Sequence, residues 1–392
     1  MAGMELCALV CGYADRFAAL GRGEHHVGSP LGAWLVLALA APAATGDLAD
    51  RIVDALGADL TTAHRLAVQL LTHPHPAVSA AAAAWSQRGL TGLDPWLATL
   101  PAGVQTGPVP TQDEADAWAR GHTFGLIDQF PLDTGGAQVL LASALATRVT
   151  WVTPFETTDA TDLRGPWSTR LTRVLRAPRA VGHHAVITDT ARAGLVGVHT
   201  ARADGLEVTS VIADPAVAAA DVLAAAHQVA VARACHRRNL PPVSLFDLPL
   251  GDHPVWIITE EHASERGEQV DALLPAWHAT SKHKLLTEPR LAFGAAGHAL
   301  RQLAELTGPI EAVQSAVARY SRRGFDAAAV TALRVGISAR VPGPPGPHRT
   351  ATLRFAHPYA VVATALSSTP ADPWDGLPVF AAWITNPDDT QD

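Results

Sequence analysis

The most constraining stretch of this chain is Val317-Ala318-Arg319-Tyr320-Ser321-Arg322-Arg323-Gly324-Phe325-Asp326-Ala327-Ala328-Ala329-Val330-Thr331. An extended segment runs into a glycine, then into small residues carrying almost no side-chain information. A run of Ala and Thr without polar anchors makes a poor static binding loop. It suits a segment that must later slide into a crowded place as a strand, where alternate residues have to be small. Insertion with a period of two puts Phe325, Ala327, Ala329 and Thr331 on one face, and Asp326, Ala328 and Val330 on the other.

The rest of the chain must supply the sheet. With 392 residues, 48% of them apolar, it can bury one large core or two ordinary ones. Net charge is −8, and Lys282 and Lys284 are the only lysines. No basic stripe stands out, which argues against nucleic acid and membrane as partners. The apolar run at 1–20 contains Glu5, Asp15 and Arg16 and follows no basic region, so it reads as neither a signal peptide nor a membrane span. Cys7, Cys11 and Cys235 are too sparse for a disulfide framework. Both features point to a cytoplasmic, reducing setting, with an extracellular one left open.

Helices are expected at 9–20, from Pro30 behind a Ser29 cap, at 47–56 before Gly57, at 61–71, 113–120 and 216–237. Strands are expected at 78–85, 138–151, 184–188, 195–201, 206–213, 255–259, 269–277, 313–320, 357–366 and 378–384. The 342–347 stretch, Pro-Gly-Pro-Pro-Gly-Pro, reads as a stiff exposed connector. No repeat or interdomain linker breaks the pattern. One α+β domain spanning 1–392 is the expectation, with helices first, antiparallel strands later and a polar tail at 386–392.

Ordered matches along the chain resemble the serpin family, bacterial-type, with a divergent hinge. Ser29-Pro30-Leu31 before an apolar helix resembles the family's Ser-Pro-Leu-Ser-Ile signature. The helix ending Ala55-Leu56-Gly57 is similar to its Ala-Leu-Gly helix, and Trp118, Thr123, Gly125 and Ile127 follow its Trp-Val…Thr-x-Gly-x-Ile segment. Leu140 through Trp151, Pro154 and Phe155 resembles the Leu-Val-Asn-Ala…Trp…Pro-Phe strand. Leu274-Pro275-Ala276-Trp277, followed by Ser281 and a short helix, resembles a Leu-Pro-Lys-Phe strand end. His357-Pro358-Tyr359 and Pro378-Val379-Phe380…Asn386-Pro387 fit the last two strands.

The resemblance implies three sheets surrounded by eight or nine helices, a metastable fold, and an exposed reactive-centre loop at 324–347. It implies inhibition of a serine protease by a monomer without a cofactor. The protease cleaves the loop, and the freed hinge of Gly324, Phe325, Asp326, Ala327, Ala328, Ala329, Val330 and Thr331 enters the main sheet as a strand. Counting from Gly324 puts cleavage after Ser338, and a lengthened loop allows it after Arg340. Ser338, Ala339, Arg340 and Val341 are therefore the scissile region, open to trypsin-like or subtilisin-like enzymes. Ser29, Ser143, Trp151 and Gln314 occupy the family's sheet-opening positions.

Departures from the family set up the alternative, a non-inhibitory protein that keeps the fold and binds a partner. Phe325 stands where a small residue is usual, and overpacking one layer costs about 1–3 kcal/mol. Placed on the insertion barrier, that slows loop entry about 5- to 150-fold. Arg322 and Arg323 replace an acidic pair, and Ala276 replaces the lysine of its salt bridge. Gly32, Ser143 and Gln314 replace Ser, Asn and His in the polar cluster beneath the sheet.

Other chemistry is not supported. The eighteen histidines, including His25-His26, His183-His184 and His73-x-His75, lack metal-ligand spacing and read as surface or turn residues. No nucleophile elbow, phosphate loop or dinucleotide fingerprint is present, so no enzyme is expected. Glu260-Glu261-His262 with Glu265 reads as a solvated loop in an insertion.

Overall fold

A computed structural model describes residues 2–234, 240–325, 346–369 and 372–390. Its helices are α1 (Ala2–Phe17), α2 (Pro30–Ala40), α3 (Gly46–Leu56), α4 (Leu60–Thr72), α5 (Asp94–Leu97), α6 (Gln112–His122), α7 (Ala219–Ala234) and α8 (Phe293–Ala304). The helix at α2 starts where the sequence dictates. Ser29 Oγ accepts from Gly32 N, Pro30 fills the first turn, and every residue but Val36 is buried. Gly57 ends α3 in the left-handed region at φ +74°, and Thr111 with Glu114 forms a capping box on α6.

Two of the sheets are six-stranded. One runs β1 (His26–Gly28), β19 (Pro378–Ile384), β18 (Tyr359–Ala365), β10 (Leu206–Ile212), β9 (Gly194–Ala203), β8 (His183–Thr190). The other runs β11 (Gly251–Asp252), β12 (Trp256–Ala263), β17 (Gly346–Arg354), β13 (Gly267–Leu274), β7 (Arg173–Arg176), β6 (Glu156–Asp159).

The remaining strands fall into two groups side by side. A three-stranded group has β3 (Val104–Pro108), β2 (Val78–Ser86) and β4 (Val139–Thr147). A four-stranded group has β14 (Trp277–Lys284), β15 (Val313–Tyr320), β16 (Gly324–Phe325) and β5 (Val149–Thr150). Alternation on β2 and β4 is clean. Ala83, Trp85, Leu140, Ala142 and Ala144 pack under Trp118 of α6, while Ala82, Ala84 and Leu145 join the main core that includes α2.

Several sequence expectations are corrected here. Trp277 does not close the 269–277 strand. It opens a separate strand, β14, that pairs with β15 from Trp277↔Tyr320 to Lys284↔Val313. The loop expected through Pro347 ends earlier, because Gly346 and Pro347 already pair with Ala263 and His262. The Glu260–His262 stretch is therefore strand rather than solvated loop. Glu260 also holds Arg349 at 2.7 Å across β12 and β17. The tail is tied down: Asp389 Oδ1 accepts from Arg173 N at 2.8 Å, and Asp388 bridges Ala276.

Candidate functional site

Between β4 and β15 the sheet is split. β4 pairs with β2 on one side and β15 with β14 on the other, and the facing edges of β4 and β15 do not pair. The described residues leave a cavity of about 370 Å³ there, walled by Leu37, Trp118, Phe130, Leu140, Phe293 and Ile310 among others. Ser29, Ser143 and Gln314 also line it.

Among the described residues the gap is bridged at its upper end alone, and the bridge is the hinge itself. Phe325 pairs with Tyr320 of β15 and with Val149 of β5, and Gly324 pairs with Thr150. Ser321 turns the chain into this bridge, since its N and Oγ both donate to Gly324 O at 3.0 and 3.1 Å. Trp151 N donates to Arg323 O, Phe155 N to Arg322 O, and the Trp151 indole to Ser321 O at 2.9 Å. The Phe325 side chain is 3% exposed and meets Trp277 edge-to-face at 6.2 Å. Trp277 stacks on Tyr320 at 5.9 Å, and Tyr320 contacts Trp151 at 5.1 Å and Phe155 at 5.6 Å.

The obstruction expected at Phe325 is thus absent from this structure. The ring is already seated before the segment that follows it. Trp151 lies where expected, 3% exposed at the upper end, linked to Trp277 through Tyr320. Arg322 Nε donates to Phe155 O at 3.2 Å. Asp326, Ala327, Ala328, Ala329, Val330 and Thr331 lie outside the described residues, as do Ser338, Ala339, Arg340 and Val341.

Lower in the split, Ser29, Ser143 and Gln314 come together as a saturated network. Gln314 Oε1 accepts from Ser29 N at 2.9 Å while its Nε2 donates to Ser29 O at 2.8 Å. Ser143 Oγ donates to Gly32 O at 2.8 Å, and Ser29 Oγ donates to Val379 O at 2.7 Å. A Cβ at Gly32 would meet Leu145 Cδ1 and Ser29 Oγ, each at 3.2 Å, so glycine lets α2 approach β4 closely. The side chains have all found partners. Among the described residues, the unpaired groups facing the cavity are strand backbone.

Sequence reasoning missed the histidines. Several expected at the surface are in the core: His26, His75, His199, His227, His283 and His357 are buried. His283 approaches Val27 O at 2.7 Å, and burial holds His26 down to about 4. The signal was present at His283, which continues the inward alternation of Trp277 and Ala279 along β14. Among the described residues no group of three or more His, Cys, Asp or Glu can hold a metal ion. Among them too, no helix is long and apolar enough to cross a membrane.

No family model matches this sequence, and no curated protein matches it. Solved structures do match, over nearly the whole chain. Serpin48 of the insect Tenebrio molitor is 16% identical, with 98% of each chain covered and a TM-score of 0.59. Human kallistatin is 14% identical, with 100% of each chain covered and a TM-score of 0.63. Human thyroxine-binding globulin, solved with its hormone, is 14% identical, covering 98% of this chain and 100% of that one at a TM-score of 0.61. The chain has the serpin fold, an α+β architecture. At these identities the likeness is one of fold, and the split sheet with its seated hinge is this chain's own geometry.

Proposed function

We propose that this protein inhibits a serine-type endopeptidase by loop cleavage and strand insertion. The observation that carries the reading is the split between β4 and β15, with two unpaired strand edges facing a cavity and the hinge residues Gly324–Phe325 already in register at its head. A strand spanning the nine residues of β4 is about 30 Å long. The chain after Phe325 is long enough to supply it once cut. Its first inward side chains, Ala327, Ala329 and Thr331, are small enough to pack against a sheet as rich in alanine as β2 and β4. In this scheme the protease serine attacks a loop carbonyl near Ser338–Val341, the peptide bond breaks, and the new amine leaves. Insertion then outruns hydrolysis of the ester.

The loss of the acidic pair before Gly324 favours a second reading, a fold-keeping protein that binds a partner. Thyroxine-binding globulin, a neighbour described in complex with a small hormone, illustrates that use of the fold. We place the protein as a monomer in a reducing, cytoplasmic setting, a reading supported by its sparse set of three cysteines.

The test is to cut the loop with trypsin-like and subtilisin-like proteases, then measure covalent complex on gels and the melting temperature of the cut protein. Inhibition requires a protease-linked band and a large upward shift in melting temperature. Clean cleavage with neither leaves the partner-binding reading.

A further inference from the structure

The hinge seat is tied to the six-stranded sheet by a pair of histidines that the scheme above does not use. His183 Nε2 lies 2.7 Å from Thr153 O, and His183 Nδ1 lies 3.2 Å from His199 Nε2. A backbone carbonyl can only accept, so His183 carries its proton on Nε2 and presents a bare Nδ1. His199 must then donate from Nε2, and its own Nδ1 is left unprotonated, buried and without a hydrogen-bond partner among the described residues. Both contacts are met with the two rings neutral, and burial disfavours a charge on either. His183 also meets Phe155 edge-to-face at 4.6 Å, and His199 lies 5.5 Å from the same ring.

Thr153 sits in the middle of the segment that holds the hinge. Val149 and Thr150 pair with Phe325 and Gly324, while Trp151 and Phe155 donate to the carbonyls of Arg323 and Arg322. Segment 149–155 and hinge 321–325 are one hydrogen-bonded unit. We propose that the His183–His199 pair is an acid-sensitive latch on this unit. Neutral, the pair reinforces the bonds that tie the segment to β9, Val152 N to Arg202 O and the Trp151–Ala203 bridge; a charge on the buried pair is uncompensated and weakens the seat, so that segment and hinge loosen together.

The surroundings offer a new charge no relief. From the 149–155 side the rings meet Thr153 O and Phe155, and Phe155 in turn meets Tyr320 of β15. Arg322 of the hinge turn is itself cationic and donates to Phe155 O. Ser210 is the register partner of His199 on β10. His184 and Glu207 are offset by an odd number of residues from His183 and Ser210, so they point to the other face, where Glu207 is held by Arg233 of α7 at 2.7 Å. No carboxylate among the described residues faces the pair. Burial accordingly holds both histidines below the usual histidine range, with neighbouring positive charge adding to the effect on His199. The seated state takes up fewer protons than the loosened one, so lowering the pH below about 6.5 favours loosening, by up to about tenfold per pH unit per histidine.

This inference goes beyond the inhibitory reading and stands without it, because a hinge can unseat in acid whether or not a protease ever cuts the loop. The readout is amide hydrogen exchange of the full chain between pH 7.5 and 5.5, corrected for intrinsic rates, with protection of 149–155 and 320–325 compared with that of β10 and β18. Protection at the hinge should fall about tenfold or more per pH unit below about pH 6.5, while β10 and β18 hold. In the variant His183→Gln/His199→Gln, which keeps amide donors but cannot titrate, that slope should vanish. A flat wild-type profile, or an equal slope in the variant, overturns the latch. Should the variant not fold, imidazole titration of the wild type by NMR decides. The two rings must gain their protons over the same pH range in which hinge protection is lost, and protonation with the hinge still protected refutes the proposal.

Discussion

The two ends of the split sheet solve opposite problems with opposite residues. At the upper end Trp151, Phe155, Trp277, Tyr320 and Phe325 fill space, and a ladder of backbone bonds closes the gap. In the middle Ser29, Gly32, Ser143 and Gln314 fill almost none, and spend their polar atoms on one another's backbones and on Val379. The upper end is built to hold a strand that has arrived. The middle is built to receive one, because its side chains are satisfied and its strand edges are the groups still to be paired. Stability should therefore sit in the aromatic seat, and specificity for an incoming backbone in the gap below it.

The sharpest way to break this contrast is to remove the seat. Trp151→Ala deletes a buried ring and an indole bond to Ser321 O, and should destabilise the protein by about 3–5 kcal/mol. Denaturant unfolding checks it, and a loss below about 1 kcal/mol would make the aromatic end ornamental. Phe325→Thr comes next. Since the ring is already buried, this change should lower the stability of the uncut protein by about 2–5 kcal/mol rather than only easing insertion. If the uncut variant matches wild type in unfolding and merely traps more protease, the seat does not hold the ring in solution.

The lower rim of the sheet gives a pH-dependent version of the test. His26 is neutral when folded, since burial brings it to about 4. Above about pH 6.5 neither state binds the proton and the residue contributes nothing. Between about 6.5 and 4 only the unfolded chain takes it up, so stability should drop by about 3 kcal/mol on acidification. His26→Gln should remove that share of the acid sensitivity, measured as the difference in denaturant midpoint between pH 7 and 4.5. Parallel losses in wild type and variant would place the acid sensitivity elsewhere, with the hinge latch the first candidate.

Much of the fold could be read from residues whose local chemistry admits one outcome. Ser29-Pro30 before an apolar run starts a buried helix, Gly57 ends one, and the alternation in β2 and β4 makes strands wherever they pair. Strand identity was harder. Trp277 could end one strand or begin another, and Pro275 two residues earlier does not decide it. Pro347 looked like a connector because proline donates no hydrogen bond, yet β12 holds β17 in register from Gly346 onward and β13 joins from His348. The site was half legible. The family resemblance located Gly324, Trp151 and Gln314, but the prior burial of Phe325 depends on Trp277 and Tyr320, on two strands that only the sheet brings together. The histidine pair was invisible because His183 and His199 meet across a hairpin, and a lone histidine in a β-rich stretch carries no sign of which face it takes.

The smallest expected effect is also the most discriminating for the middle of the gap. Gln314 both accepts from Ser29 N and donates to Ser29 O, a pairing that needs one side chain with an acceptor and a donor side by side. Gln314→Ala leaves two buried backbone groups to find other partners and should cost about 1–3 kcal/mol. Gln314→Glu keeps the shape and separates hydrogen bonding from packing. At neutral pH its carboxylate still accepts from Ser29 N but faces the Ser29 carbonyl with a lone pair, so it should be as damaging as alanine. Its folded-state pKa is then raised, and the missing stability should return as pH falls toward about 4.3 and the added proton restores the donor. Comparing Gln314→Glu with Gln314→Ala at pH 7 and pH 4.5 cancels the acid sensitivity both share. A deficit that does not shrink in acid would mean that Gln314 acts by size alone, and that the polar cluster does not brace the gap.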